Sequence, residues 1–135
     1  MFEITIHYSK LIYQGIFEEF PNLKMVATHL GGALPFLAER ISWGYNYPDT
    51  EKNIQKNPYE YYEMLYYDTT SFYKPALDCT HALAGAKKMM LGSDFPFQIG
   101  NLERAVTSIK EWGRPEDETK QILGENAVKL FKLKC

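Results

Sequence analysis

Long apolar runs are missing from this chain of 135 residues. No stretch reaches the roughly 18 consecutive apolar residues of a membrane-spanning helix, so no membrane partner is expected. Blocks of lysine or arginine are missing as well. The 15 basic residues are scattered among 17 acidic ones, for a net charge of −2. Phosphate binding needs a basic face, so no nucleic-acid partner is expected either. Cysteine is scarce: Cys79 and Cys135 stand far apart without metal-ligand spacing, which reads as two free thiols. The opening MFEITIHYSK lacks the basic start and apolar segment of a secretory leader, so a cytoplasmic location is expected. Internal repeats, low-complexity segments and linkers are absent, which leaves a single domain over residues 1–135.

What is present suffices for a folded core. Hydrophobic residues make up 45% of the chain and aromatic ones 15%, with tyrosines gathered between Tyr45 and Tyr73. Each buried phenol needs a hydrogen-bond partner, and such a cluster suits a core, a subunit interface or a pocket wall.

The periodicity predicts a helix at the start of the chain, with Ile4, Tyr8, Leu11, Ile12 and Gly15 on one face, ended by Pro21. Leu23 to Ala27 then form a buried strand, stopped by Gly31 and Gly32. A helix over ALPFLAERISWGY follows, with Leu34, Leu37, Ala38 and Ile41 on one face. Residues 46–58 are polar, contain two prolines and read as a loop. The segment from Met64 to Thr69 reads as a second strand, preceded by a helical turn. Pro75 opens the next helix and Gly85 closes it. KKMMLGSD is the third strand, Asn101 caps a helix, and two helical pieces finish the chain after Pro115, with the acidic start Glu116, Asp117 and Glu118 that a helix dipole favours.

Strands alternating with helices imply an α/β fold with parallel strands and right-handed crossovers. Ligand sites in such folds lie beyond the carboxyl ends of the strands. All three strands end in polar residues there: Thr28 and His29, then Asp68, Thr69 and Thr70, then Ser93 and Asp94. Asp94 follows the apolar run Met89, Met90 and Leu91. A charge placed after a buried strand is costly unless it is paired or binds a cation.

The segments GIFEEFPNLKMVATHLGGALPFLAERI, YYDTTSFY and MMLGSDFPF, in this order, resemble the amidohydrolase-related metal-dependent enzymes. The likeness is to their branch of aminocarboxymuconate semialdehyde and resorcylate-type decarboxylases and related hydrolases. The closing ILGENAVKLFKL matches the way these chains end, so the resemblance runs over nearly the whole sequence. It implies a partial, half TIM barrel, the C-terminal part of a (β/α)8 fold. It also implies a divalent metal, zinc being usual, and a small carboxylated substrate that is decarboxylated or hydrolysed. By the same resemblance His29 is the catalytic residue that transfers protons, Asp94 a metal ligand, and Arg40 the group that binds the substrate carboxylate, in some relatives reaching a neighbouring subunit's site. The physical chemistry agrees. A carboxylate offsets an ion's charge, a histidine titrates near working pH, and a guanidinium fork fits a carboxylate.

The departures are equally specific. A complete barrel takes about 250 residues. The H-x-H pair of the first strand is missing, as is the histidine after the fifth, and neither His7 nor His81 replaces them. Asp94 alone falls short of the roughly three protein ligands a catalytic zinc needs. A half barrel also leaves strand edges open, so association is expected, either as a homo-oligomer or with a missing N-terminal half. Two readings stand: the C-terminal part of a metal-dependent hydrolase or decarboxylase, and an inactive remnant that serves as an oligomeric or partner-binding domain. Several side chains have plain alternatives. Arg40 also suits a surface ion pair, Asp68 and Thr70 suit the ordering of a strand end, and Gly31 and Gly32 suit either a simple turn or a close approach to a ligand.

Overall fold

The computed structural model describes residues 1–50 and 53–134. Glu51 and Lys52, within the expected loop, and Cys135, one of the two expected thiols, lie outside them. Three short strands, β1 (Val26–Ala27), β2 (Tyr66–Asp68) and β3 (Met89–Met90), form one parallel sheet in the order β1-β2-β3. Val26 pairs with Tyr66 and Ala27 with Tyr67; Tyr67 pairs with Met89 and Asp68 with Met90. Helices α3 (Leu34–Gly44) and α4 (Pro58–Met64) connect the first two strands, and α5 (Lys74–Ala84) connects the second and third. This is the parallel α/β arrangement that the alternation of elements implies.

Helix α1 (Phe2–Tyr13) stops earlier than its periodicity suggests. Gly15 takes φ 79°, and a Cβ there would lie 2.5 Å from the Asn53 carbonyl oxygen. The buried-face position read from spacing is therefore a break, after which α2 (Ile16–Glu19) runs on to Phe20. The loop ends at its last proline, and the helical turn expected before the second strand is α4. The Asn57 side chain accepts from the Tyr59 amide at 2.9 Å while Glu60 reaches back to the Asn57 amide, a capping box that starts α4 at Pro58. Pro75 and Gly85 bound α5 as expected. The chain closes with α6 (Leu102–Lys110), α7 (Glu116–Lys120), a π turn over Gln121–Glu125 and α8 (Asn126–Phe131).

The core lies on the helical side of the sheet. Ala27, Tyr67 and Met89 point to that side and are fully buried with Ile12, Leu34, Leu65 and Ile122. Val26, Tyr66 and Asp68, on the alternate face, are half-buried. Tyr61, Tyr62 and Tyr67 are buried in the core, and several tyrosine hydroxyls are spent on main-chain carbonyls. Tyr67 donates to Tyr62 (2.7 Å), Tyr13 to Ile41 (2.8 Å) and Tyr45 to Ile54 (2.7 Å). Tyr61 instead donates to Glu18; burial, and then that bond, push its phenol up to about 12. Tyr8 donates to the Val26 carbonyl at 2.9 Å. His7 is exposed on α1, and His81 on α5 pairs with Glu118 of α7 at 3.0 Å and meets the Trp112 ring edge-on.

Asp78 joins α5 to the segment after α6. It accepts from Lys74 (2.7 Å), the Trp112 indole (2.8 Å) and Arg114 (2.9 Å). The Lys74 bond first, then the indole, hold its carboxyl down at about 2, against an ordinary value of 3.8. A carboxyl whose pKa falls on folding stabilises the fold above its unfolded value, and that contribution is lost as pH drops through the folded one. Stability followed by circular dichroism is therefore expected to decline between about pH 4 and pH 2. Asp78→Asn is expected to flatten that decline, and an unaltered slope would remove Asp78 from the acid response.

Candidate functional site

All three strands deliver their last residues to one end of the sheet, where a cleft of ≈ 490 Å³ opens. His29 enters it from the turn after β1, Thr70, Ser71 and Phe72 from the turn after β2, and Asp94 from the loop after β3. Met1, Ile99 and Arg104 complete the lining. Two residues chosen from the sequence, His29 and Asp94, thus meet in one cleft. Arg40 does not: it is exposed on α3, outside the cleft lining.

The turn after β1 is left-handed throughout. His29, Leu30, Gly31 and Gly32 have φ of 54°, 55°, 76° and 67°. The glycines are required by their own chain. A Cβ on Gly31 would sit 2.8 Å from the Tyr67 ring, and one on Gly32 would sit 2.7 Å from the Met1 carbonyl oxygen. Of the two readings left open for this pair, the tight turn is the one the contacts require.

One carboxylate organises the entry of His29. Asp68 Oδ1 accepts from the His29 amide at 2.7 Å and from the Thr70 amide at 3.0 Å. The Thr70 carbonyl in turn lies 3.3 Å from His29 Nδ1. Asp68 and Thr70 therefore order the strand ends, one of the roles their positions allow. The charge of Asp68 is felt at Tyr8, whose phenol is raised by burial first and by that charge second.

Asp94 also adopts a left-handed backbone, φ 62°, at the start of a closed loop. The Phe97 amide donates to the Asp94 carbonyl (2.9 Å) and the Asn101 amide to the Ser93 carbonyl (3.0 Å). Asn101 then caps α6 by accepting from the Arg104 amide at 2.8 Å. Loop closure and cap together bring Arg104, in the first turn of α6, to the cleft, with its guanidinium 5.7 Å from the centre of the Phe72 ring. Arg104 and Phe72 are lining residues that spacing alone does not disclose. The available signal for Arg104 is a basic residue in the first turn of a helix, where the dipole disfavours it.

Of the five non-glycine residues with positive φ among the described residues, His29, Phe72 and Asp94 all line this cleft. Such conformations cost about 1–3 kcal/mol each and gather at sites where function holds them. As a metal centre the arrangement is incomplete. No group of three or more His, Cys, Asp or Glu side chains among the described residues is placed to hold an ion. The residues present do not by themselves fit a resident divalent metal.

Comparison with known proteins now places the chain. Residues 3–133 match the amidohydrolase family, and the chain belongs to it. It is 35% identical over 135 residues to the 2-amino-3-carboxymuconate-6-semialdehyde decarboxylase of Dictyostelium discoideum, covering 97% of this chain and 37% of that protein. It is 29% identical to the gamma-resorcylate decarboxylase of Polaromonas sp., covering 97% of this chain and 41% of the relative. Among solved structures, the 5-carboxyvanillate decarboxylase of Sphingomonas paucimobilis superposes with a TM-score of 0.83 at 26% identity, over 93% of this chain and 38% of that one. A dihydroxybenzoic acid decarboxylase from Polaromonas sp. JS666, solved with bound manganese and the inhibitor 2-nitroresorcinol, gives the same score and identity over 96% and 40%. The chain therefore has the fold of a partial TIM barrel and spans about two-fifths of the length of these relatives.

The packing at the strand ends yields a direct test. Gly92, after β3, faces Asp68 and Thr70: a Cβ there would contact the Thr70 hydroxyl and stand 3.0 Å from Asp68 Cβ. Gly92→Ala is expected to lower stability by about 1–3 kcal/mol through overpacking, read by urea denaturation. A midpoint equal to that of the wild type would show that the strand ends can yield at no cost.

Proposed function

We propose that this chain is the C-terminal part of a metal-dependent decarboxylase or hydrolase barrel, acting on a small carboxylated, aromatic or dienoic compound. The observation that carries the reading is the convergence of His29, Phe72 and Asp94, all in left-handed backbone, on one cleft beyond three parallel strands. The names of the relatives, decarboxylases of small aromatic or dienoic acids, point to the same chemistry.

In this proposal Asp94 would be one donor to a divalent cation, zinc or the manganese bound in a related structure, whose other donors would come from polypeptide outside the described residues, a second copy or a missing N-terminal half; such an ion would supply Lewis acidity. His29 handles the proton. When the bond between the substrate carbon and its carboxylate breaks and carbon dioxide leaves, the electron pair stays on carbon. That carbon must take up a proton, and His29 is the group in the cleft that, once its free ring nitrogen has taken a proton from solvent, can pass it on. Phe72 and Ile99 offer apolar walls for a planar substrate. Arg104 offers the cleft's own guanidinium for a carboxylate, while Arg40 serves a carboxylate only in a neighbouring copy's site.

A cytoplasmic setting belongs to the same proposal. Cys79 is free, and burial raises its thiol pKa, so it is a poor nucleophile. No helix among the described residues is long and apolar enough to cross a membrane.

The second reading, an inactive remnant kept as an oligomeric or binding domain, is favoured by the incomplete set of ligands. Elemental analysis of the purified chain beside Asp94→Ala separates the two. Near-stoichiometric zinc or manganese that is lost in the variant supports a site assembled between chains, and no metal in either supports the remnant. In the complete barrel, His29→Ala and Asp94→Ala are each expected to abolish turnover, and retained turnover in both would sink the enzymatic reading. Arg104→Gln is expected to raise KM about 10- to 100-fold, the worth of one charged hydrogen bond, in steady-state assays of the complete barrel with an aromatic carboxylate.

A further inference from the structure

We infer that Asp68 is a positioning residue for His29, fixing which imidazole nitrogen carries the proton and which is left free at the cleft. A carbonyl oxygen only accepts hydrogen bonds, so the approach of His29 Nδ1 to the Thr70 carbonyl, at 3.3 Å, is a hydrogen bond only in the tautomer with the proton on Nδ1, and it favours that tautomer. In the neutral ring this leaves Nε2 unprotonated, with its lone pair available to a substrate or cation. The Thr70 carbonyl is the imidazole's one hydrogen-bond partner among the described residues.

Asp68 governs both ends of that contact. Through a single oxygen it holds the His29 amide at 2.7 Å and the Thr70 amide at 3.0 Å. It thus sets the main chain that bears the ring and the main chain that bears the ring's acceptor. The first is a left-handed turn at φ 54°, which a β-region histidine would abandon, carrying the ring away from Thr70. The second belongs to a buried threonine next to a tight turn. Gly92 closes the other side: the lack of a side chain there lets β3 pass against Asp68 and Thr70 and keeps the carboxylate in place. Histidine ligands and proton carriers generally have their second nitrogen fixed in this way by a carbonyl or carboxylate. Here the carbonyl does so directly and the carboxylate acts through the backbone.

The consequence for turnover rests on the proposed function; the tautomer belongs to the chain itself. The test is nitrogen NMR of the full chain labelled in histidine, at a pH above the imidazole range. His29 is assigned from the signal missing in His29→Gln. The wild type is expected to show the ratio of Nδ1-protonated to Nε2-protonated ring raised about tenfold over that of a free histidine side chain, the worth of one hydrogen bond. Asp68→Ala is expected to bring the ratio close to that of the free side chain. Asp68→Asn, which keeps a neutral acceptor, is expected to fall between the two. A wild-type ring protonated on Nε2, or a ratio unchanged in Asp68→Ala, overturns the inference. If Asp68→Ala does not fold, Asp68→Asn decides, and a ratio equal to that of the wild type overturns the inference. A purely structural role lowers stability without moving the ratio. Failure of the enzymatic reading shows instead as absent metal or turnover while the tautomer stays as inferred.

Discussion

A single carboxylate, that of Asp68, joins the ends of two strands, and the working end of this fold depends on it. The strands are two or three residues long, so their ladders contribute few main-chain hydrogen bonds. By accepting from His29 and Thr70, Asp68 adds a link between β1 and β2 beyond the ladder, at the point where both chains turn away. Hydrogen bonds to a charged acceptor are stronger than neutral ones, and this one offsets part of the cost of a left-handed histidine. The absence of a side chain at Gly92 brings the third strand against the same carboxylate. The carboxylate therefore ties two strand ends with the third passing close by, and the cleft opens beside it.

Much of the architecture is legible in residue order, for identifiable reasons. Pro75 and Gly85 bracket α5 because one tolerates only a first turn and the other supplies its end. His29 and Asp94 could be placed together because parallel topology sends every strand's last residues to one side. Gly15 misleads because a glycine at helical spacing looks like part of a buried face, whereas the nearby Asn53 carbonyl makes it a break. Asn57, at the end of a segment whose composition reads as loop, forms with Glu60 the capping box that starts the helical turn expected there. Phe72 and Arg104 reach the cleft only through the path of their loops, set by a positive φ in one case and by the Asn101 cap in the other, and neither leaves a periodic trace. The tyrosines fit several roles until burial and hydroxyl partners are traced, which shows Tyr67 to be core and Tyr13 and Tyr45 to be tied to main-chain carbonyls.

Fold and chemistry are complete to different degrees. The chain matches its family over residues 3–133 and superposes closely on solved decarboxylases, yet covers about two-fifths of them. What it carries is a cleft lined by an imidazole, a carboxyl group, a guanidinium and apolar side chains. What it lacks among the described residues is a cluster able to hold an ion unaided. Barrel enzymes draw their site residues from the ends of several strands, so a portion of the barrel necessarily inherits a portion of the site.

The bond from Tyr8 to the Val26 carbonyl bears on how an open sheet avoids trouble. In the register of β1 with β2, Met25 and Ala27 turn their main-chain groups toward β2, which leaves Val26 facing outward. An outward carbonyl on a flat edge is an invitation to any passing strand. Here a phenol from α1 occupies it, and the ring shields the edge with apolar surface. At the other edge, the Leu91 amide just past β3 donates to the Ile122 carbonyl of the closing helical segment. Both borders of the sheet are thus guarded by the chain's own terminal helices. The outer edge of β1 carries an intramolecular hydroxyl where an open edge would present a bare carbonyl.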